Sequence, residues 1–220
     1  MRLSVLIPWR SDDPDRIRAW EFNRARWQAL DVELCVADDG RTGRFSVPMA
    51  VNRARALASG DGLLLFGADH IPPSPEKLEW VRARLEAMPW SGVYAETRAF
   101  SRRATQKIID GRPPETLHTQ SQLICVAEGV VAVRADVWDD VGGEDERFQG
   151  WGAEDSALRF ALKTLYPEGT LAGEGTLYAL FHPPQPWDQL TAANNQLFVE
   201  YQLAGAAGRL REFLKGARHG

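Results

Sequence analysis

Residues 47–73 read VPMAVNRARALASGDGLLLFGADHIPP, and the order of features in this stretch decides the fold. Residues 47–59 are alanine-rich with helical spacing, and Gly60, Asp61 and Gly62 break the helix. The four residues that follow, LLLF at 63–66, form the most hydrophobic run of the chain and predict a buried strand. The strand runs straight into an acid, Asp69, and then into Pro72 and Pro73. The same unit occurs upstream. Residues 3–8 (LSVLIP) predict a strand. Residues 15–30 carry Ile17, Trp20 and Ala25 among arginines, as in a helix, with Ser11, Asp12 and Asp13 as candidate caps. Residues 32–37 predict a second strand, closed by Asp38, Asp39 and Gly40. Downstream, Ser74 caps a predicted helix that runs to Glu86, and residues 91–95 predict another strand. This alternation predicts an α/β fold with a mostly parallel central sheet flanked by helices on both faces. Ligands of such sheets bind beyond the carboxyl ends of the strands, where Asp38, Asp39 and Asp69 lie.

The second half is less regular. Residues 96–122 are polar and carry Arg98, Arg102, Arg103, Lys107 and Arg112. A connection of that length is expected to be functional or mobile. Residues 123–133 read as one strand around Gly129. Residues 135–141 read as a short helix, 153–165 as an amphipathic helix and 176–181 as a strand. Helical spacing returns from Trp187, interrupted by Gly205 and Gly208, with a last helix over 210–214.

Composition excludes several classes. The chain has 220 residues, 44% of them hydrophobic and 25% charged, as in a globular protein. A net charge of −4 gives no footprint for nucleic acid or an anionic membrane. No apolar run approaches the ~18 residues of a membrane span, and a cytoplasmic location is expected. The two cysteines, Cys35 and Cys125, lie in apolar strand-like runs and read as buried thiols. The eight tryptophans are either core residues or sugar-stacking surfaces. No dinucleotide or P-loop glycine signature and no Gly-x-Ser-x-Gly elbow is present, so dehydrogenases, P-loop enzymes and serine hydrolases are not expected.

The chemistry concentrates in residues 141–155, VGGEDERFQGWGAED. Four glycines and five acids fall in this stretch, directly before the amphipathic helix. Glycines allow close backbone approach to a ligand. Glu154 and Asp155 fall in the first helical turn, where the helix dipole favours carboxylates. A carboxylate at a pocket mouth can accept a proton from a hydroxyl.

This motif resembles the acceptor-side motif GG-x-DE-x-F-x-GWG-x-ED of β-1,4-galactosyltransferases and their bacterial relatives, shared more loosely by polypeptide N-acetylgalactosaminyltransferases. The preceding GVVAVRADVW matches the lead-in of that family. LSVLIPWR resembles its first strand, VADDG its nucleotide-contact turn, and NRARALASGDGLLLFGADHIPP the approach to its metal-binding Asp-x-Asp. The resemblance implies a single GT-A (Rossmann-like) domain over residues 1–220, with a nucleotide-sugar half over 1–95 and an acceptor half over 96–220. It implies a nucleotide-sugar donor, a UDP-sugar foremost, and Mn²⁺ or Mg²⁺. Pro8, Arg10, Asp38, Asp39, Asn52, Trp151 and Gly152 would line the donor and sugar sites. Asp155 would be the catalytic base of an inverting transfer, and Glu154 would bind sugar hydroxyls. Asp69 is the retained second acid of an Asp-x-Asp whose first position is Gly67, so it needs a partner. His182, which lies 27 residues after Asp155 (182 − 155), is the candidate, ahead of His118 and His219. The basic 96–122 segment would close over the donor as a lid. A retaining transferase and a non-catalytic sugar-nucleotide-binding module stay open. So does the acceptor: a glycan, a protein, a lipid-linked sugar or a modified nucleobase.

Overall fold

The computed structural model describes residues 1–126, 130–150, 152–183 and 189–217. The N-terminal alternation forms as the pattern dictates: β1 (Leu3–Pro8), α1 (Pro14–Trp27), β2 (Glu33–Ala37), α2 (Val47–Leu57), β3 (Gly62–Leu65), α3 (Pro75–Ala87) and β4 (Trp90–Gly92). Asp13 caps α1 and Ser74 caps α3 through their side chains, and each helix carries proline in its first turn. The chain continues with β5 (Glu96–Phe100), α4 (Arg102–Ile109), a 3₁₀ helix (Pro114–Gln120), β6 (Ser121–Val126), β7 (Val131–Arg134), α5 (Ala135–Val141), α6 (Glu154–Leu165), β8 (Thr176–Ala179), α7 (Gln189–Ala206) and α8 (Leu210–Ala217).

The main sheet has the order β2-β1-β3-β7-β4. Strands β1, β2 and β3 pair in parallel, and β7 is antiparallel to both β3 and β4, so four of the five strands point one way. Alternate residues of β1 feed two cores. Leu3, Val5 and Ile7 face α1 and α3 with Trp20, Trp27 and Leu78. Leu6 faces α2, α5 and α6 with Val51, Trp138 and Leu162. Burial on both faces explains why β1 and β3 are hydrophobic, Ser4 apart. Because β7 lies between β3 and β4, the two halves of the chain interlock in one sheet.

Three expectations change. The 123–133 stretch is not one strand. Its first part, β6, joins β5 and β8 in a separate three-stranded sheet, while β7 enters the main sheet. Residues 96–122 are not a loose lid. Ser101 caps α4, whose Ala104, Thr105 and Ile108 are buried, and Phe100, Leu117 and Leu180 complete that core. The basic residues occupy the outer face, with Arg98 paired to Glu96 and Arg102 to Asp15. Helical spacing of a few small apolar residues was enough to fold a segment whose average composition is polar. Finally, α7 runs through Gly205 without a break.

Cys35 is buried and Cys125 half-buried, on different sheets, and both are free thiols. Trp20, Trp27, Trp90 and Trp138 are core residues. Among the described residues no helix is long and apolar enough to cross a membrane.

Candidate functional site

Asp69 and His182 converge. Beyond β3 the chain turns at residues 67–70, closed by the His70 N–H donating to the Gly67 carbonyl at 3.1 Å. Gly67 is required there, because a Cβ would lie 2.7 Å from His70 Nδ1. Two partners pin the turn. Buried Asn23 of α1 donates to the Ala68 carbonyl at 2.9 Å, and the Leu180 N–H donates to the Asp69 carbonyl at 2.9 Å. Past β8, the Phe181 N–H donates to Thr105 Oγ1 at 2.8 Å, which fixes the chain at His182. The result is a His182 Nε2 to Asp69 Oδ2 separation of 3.4 Å, with both side chains partly open to solvent.

That spacing suits a shared ion. Bonds of about 2.0–2.2 Å at angles of about 90–110° place two donors about 3.0–3.5 Å apart, whereas 3.4 Å is long for a hydrogen bond. A mixed nitrogen–oxygen pair fits Mn²⁺ or Mg²⁺. His70 shares this corner. Burial lowers its imidazole below the ordinary value, and its Nδ1 is buried without a hydrogen-bond partner. Among the described residues no group of three or more His, Cys, Asp or Glu forms a metal cluster. His118 is engaged elsewhere, its Nδ1 2.8 Å from the Tyr178 hydroxyl. His219 lies outside the described residues.

The second part of the site is the loop after β2. Asp39 is buried. Its Oδ2 accepts from the Ser46 N–H at 2.9 Å, and Arg10 Nη1 stands 2.8 Å from its Oδ1. The guanidinium is not aligned on that oxygen, which is left buried without a hydrogen-bond donor. Arg10 instead donates to the carbonyls of Arg41 and Gly43 and packs over the Phe45 ring, so it shapes this loop. Asp38 is exposed and accepts from the Gly40 N–H in a tight turn. Pro8 ends β1 in register with Ala37.

The third part is the glycine-rich motif. Ser46 and Gly150 form a β-bridge, which joins the motif to the loop after β2. Gly150 and Gly152 have φ of +73° and +108°, which explains glycine at both positions. Asn52 is fully used within the protein. Its Nδ2 donates to the Glu144 carbonyl and to Glu146 Oε1, and its Oδ1 accepts from the Glu144 N–H. Asn52 therefore ties α2 to the motif rather than facing a nucleotide. Trp151 lies outside the described residues.

The motif acids separate by environment. Asp145 accepts from Arg147 and from the Tyr201 hydroxyl, both at 2.7 Å. Asp155 is exposed, at the first turn of α6, and pairs with Arg159 at 3.0 Å. Glu154 points inward. Burial and the neighbouring Asp155 raise its carboxyl to about 7, and among the described residues its Oε2 has no hydrogen-bond partner. Glu144 is 6% exposed. Burial, then Glu154 and Asp155, push it up to about 8, and among the described residues its Oε2 is also unpartnered. Sequence reasoning passed over Glu144, Asn23, Thr105 and Arg16. Asn23 had a legible signal, a polar residue on the Ala19–Trp20–Trp27 stripe of α1; Thr105 had none.

No family model matches the chain, and no curated protein matches it. Solved structures do. Glucosyl-3-phosphoglycerate synthase from Mycobacterium tuberculosis, in complex with Mn²⁺ and UDP-glucose, aligns at TM-score 0.55 with 17% identity, covering 95% of this chain and 79% of that one. The same enzyme with phosphoglyceric acid aligns at 0.54, again with 17% identity, over 95% of this chain and 80% of that one. The catalytic domain of Drosophila β1,4-galactosyltransferase 7, in complex with xylobiose, aligns at 0.55 with 12% identity, over 88% and 79%. The chain has the GT-A fold of these glycosyltransferases.

Proposed function

We propose that the chain is a metal-dependent glycosyltransferase that moves a sugar from a nucleotide-sugar, a UDP-sugar foremost, to an acceptor hydroxyl. The observation that carries this reading is the 3.4 Å approach of His182 to Asp69 at two strand ends, in a fold shared with an enzyme crystallised with Mn²⁺ and UDP-glucose. Asp69 and His182 would hold Mn²⁺ or Mg²⁺, with diphosphate oxygens completing the shell. When bound, the ion supplies neutralisation of the charge developing on the departing diphosphate. Asp38 and Asp39 would contact the nucleoside, Asp39 through the oxygen that Arg10 approaches at 2.8 Å without an aligned donor, once that guanidinium moves aside. The glycines at 150 and 152, with positive φ, would shape the turn beside the sugar.

In the transfer itself, the acceptor oxygen forms a bond to the anomeric carbon. The bond from that carbon to the phosphate oxygen breaks, and its electron pair leaves with the nucleoside diphosphate. Asp155 takes the acceptor proton, and Glu154 orients sugar hydroxyls. This assignment gives inversion. The alternative is a retaining transferase, in which the pair only binds sugar. It is favoured by the Arg159 contact that already engages Asp155 at 3.0 Å. The acceptor hydroxyl belongs to a glycan, a protein, a lipid-linked sugar or a modified nucleobase, and location in the cytoplasm is part of the same proposal.

The test is calorimetric titration with UDP and a panel of UDP-sugars, with and without Mn²⁺, followed by assay for donor hydrolysis. Binding that requires Mn²⁺ is expected. Absence of any nucleotide binding in the presence of Mn²⁺ overturns the reading. Binding without hydrolysis or transfer identifies a sugar-nucleotide-binding module.

A further inference from the structure

Arg16 contacts the candidate metal ligand, and no sequence motif singles it out. Its Nη2 lies 2.8 Å from Nδ1 of His182, on the side of the ring away from Asp69. The carbonyl of Pro183 also lies 2.8 Å from that Nδ1. One ring nitrogen cannot serve both. It accepts from Arg16 only when bare, and donates to Pro183 only when it carries a hydrogen. With Arg16 donating, the neutral ring bears its hydrogen on Nε2, facing Asp69. With Pro183 accepting, Nε2 is bare. Metal-bound histidines use that second arrangement, with the remote N–H held by a carbonyl or carboxylate. An ion on Nε2 therefore makes the Arg16 contact redundant.

The placement of Arg16 is otherwise unfavourable. It sits in the first turn of α1, at the positive end of a fourteen-residue helix. It is half-buried, and among the described residues its side chain forms no ion pair. Asp15 beside it is already paired with Arg102, and the Asp13 carboxylate caps the helix by accepting the Arg16 backbone N–H. Among the described residues Asp69 is the one carboxylate placed against His182, so a divalent ion there together with the Arg16 guanidinium beside the ring would leave the corner net positive. An anion would balance it. A guanidinium keeps four further N–H donors when one is spent on His182, and matches phosphate oxygens in pairs.

We infer that Arg16 is a diphosphate-binding residue: it holds His182 when the corner is empty and transfers its hydrogen bonds to the donor diphosphate when ion and nucleotide bind. This rests on the glycosyltransferase reading above, and adds to it a residue on α1 that bridges the metal corner and the leaving group.

The experiment measures three affinities for wild type, Arg16→Gln and Arg16→Lys. They are Mn²⁺ alone, read by electron paramagnetic resonance of the free ion, and inorganic diphosphate and UDP with Mn²⁺ saturating, read by calorimetry. Circular dichroism monitors folding. The expected pattern has opposite signs. Arg16→Gln binds Mn²⁺ alone at least as tightly as wild type, because a competing cation has gone. It binds diphosphate and UDP about 10- to 100-fold more weakly, as for loss of hydrogen bonds to a charged group. Arg16→Lys recovers part of that loss, since it keeps the charge but not the fork. Diphosphate and UDP affinities of Arg16→Gln within about twofold of wild type overturn the inference. So does a parallel loss of Mn²⁺ affinity, which marks Arg16 as a prop for His182 only. If wild type itself binds neither diphosphate nor UDP with Mn²⁺, the functional reading fails, and this inference falls with it.

Discussion

Replacing Glu144 with glutamine tests the electrostatics of the glycine-rich motif directly. Glu144 is 6% exposed, and one of its carboxylate oxygens is buried without a partner. The groups facing it are Glu154 and Asp155 of α6, Asp145 beside it and Arg159 one helical turn on, so three acids oppose one base. Burial comes first and the acids second in pushing its carboxyl from 4.5 to about 8. The sign follows. Between about pH 5 and about pH 8 the folded protein holds a proton that the unfolded chain has released. Stability from this group is fully present below the unfolded value and is lost as pH rises through the folded one. Each fully uncompensated proton tilts stability by about 1.4 kcal/mol per pH unit. Over the window the loss amounts to a few kcal/mol, a large share of a domain's typical 5–15 kcal/mol. Glutamine has nearly the same shape and cannot ionise. Urea unfolding of wild type across this range should show stability falling with pH. Glu144→Gln should show a shallower profile, its remaining fall coming from Glu154, whose carboxyl is raised to about 7, and be the more stable protein near pH 8, with an unchanged dependence on urea. Parallel pH profiles for the two proteins would refute the assignment of a buried, proton-holding carboxyl.

Other outcomes are expected. His182→Ala and Asp69→Asn should each weaken Mn²⁺-dependent UDP binding at least about tenfold, as for loss of one metal ligand or its charge, measured by calorimetry; a Mn²⁺-dependent affinity equal to wild type's would refute a shared ion on the pair at 3.4 Å. Asp155→Asn should lower turnover by about 10²–10⁴-fold with donor affinity nearly unchanged. Near-normal turnover, or a product that keeps the donor's anomeric configuration by NMR, would move the retaining alternative ahead. Ala153 holds a left-handed φ of +69° before α6, a conformation that costs a non-glycine residue about 1 kcal/mol. Ala153→Gly should therefore raise the melting temperature by a few degrees, and a lower melting temperature would mean that the packing of the Ala153 methyl outweighs its strain.

The sequence by itself determined the alternation of β1, β2 and β3 with α1, α2 and α3 and the order of motifs along it, but not the entry of β7 between β3 and β4. The β1 and β3 runs are hydrophobic, Ser4 apart, because both faces of the sheet are covered, and helices α1 and α3 carry their own caps at Asp13 and Ser74. These are local signals, and local physics reads them. The first turn of α6 was equally legible, since Glu154 and Asp155 stand where a helix dipole favours acids. What the sequence left open was every relation between distant residues. Nothing local separates Asp39, buried against Arg10 and Ser46, from Asp38, exposed in a turn one residue earlier. Asn52 has the composition of a ligand contact, yet the motif 92 residues away uses both ends of its amide. The basic stretch at 96–122 looked like a mobile lid because side-chain charge is visible in a sequence, whereas burial of Ala104 and Ile108 under Phe100 and Leu180 is not. His182 reaches Asp69 only because Thr105 of that same stretch holds the Phe181 N–H and because β8 runs beside the 67–70 turn. A pair of residues 113 positions apart (182 − 69) comes within 3.4 Å through backbone hydrogen bonds to third elements, and those are set by the tertiary structure alone.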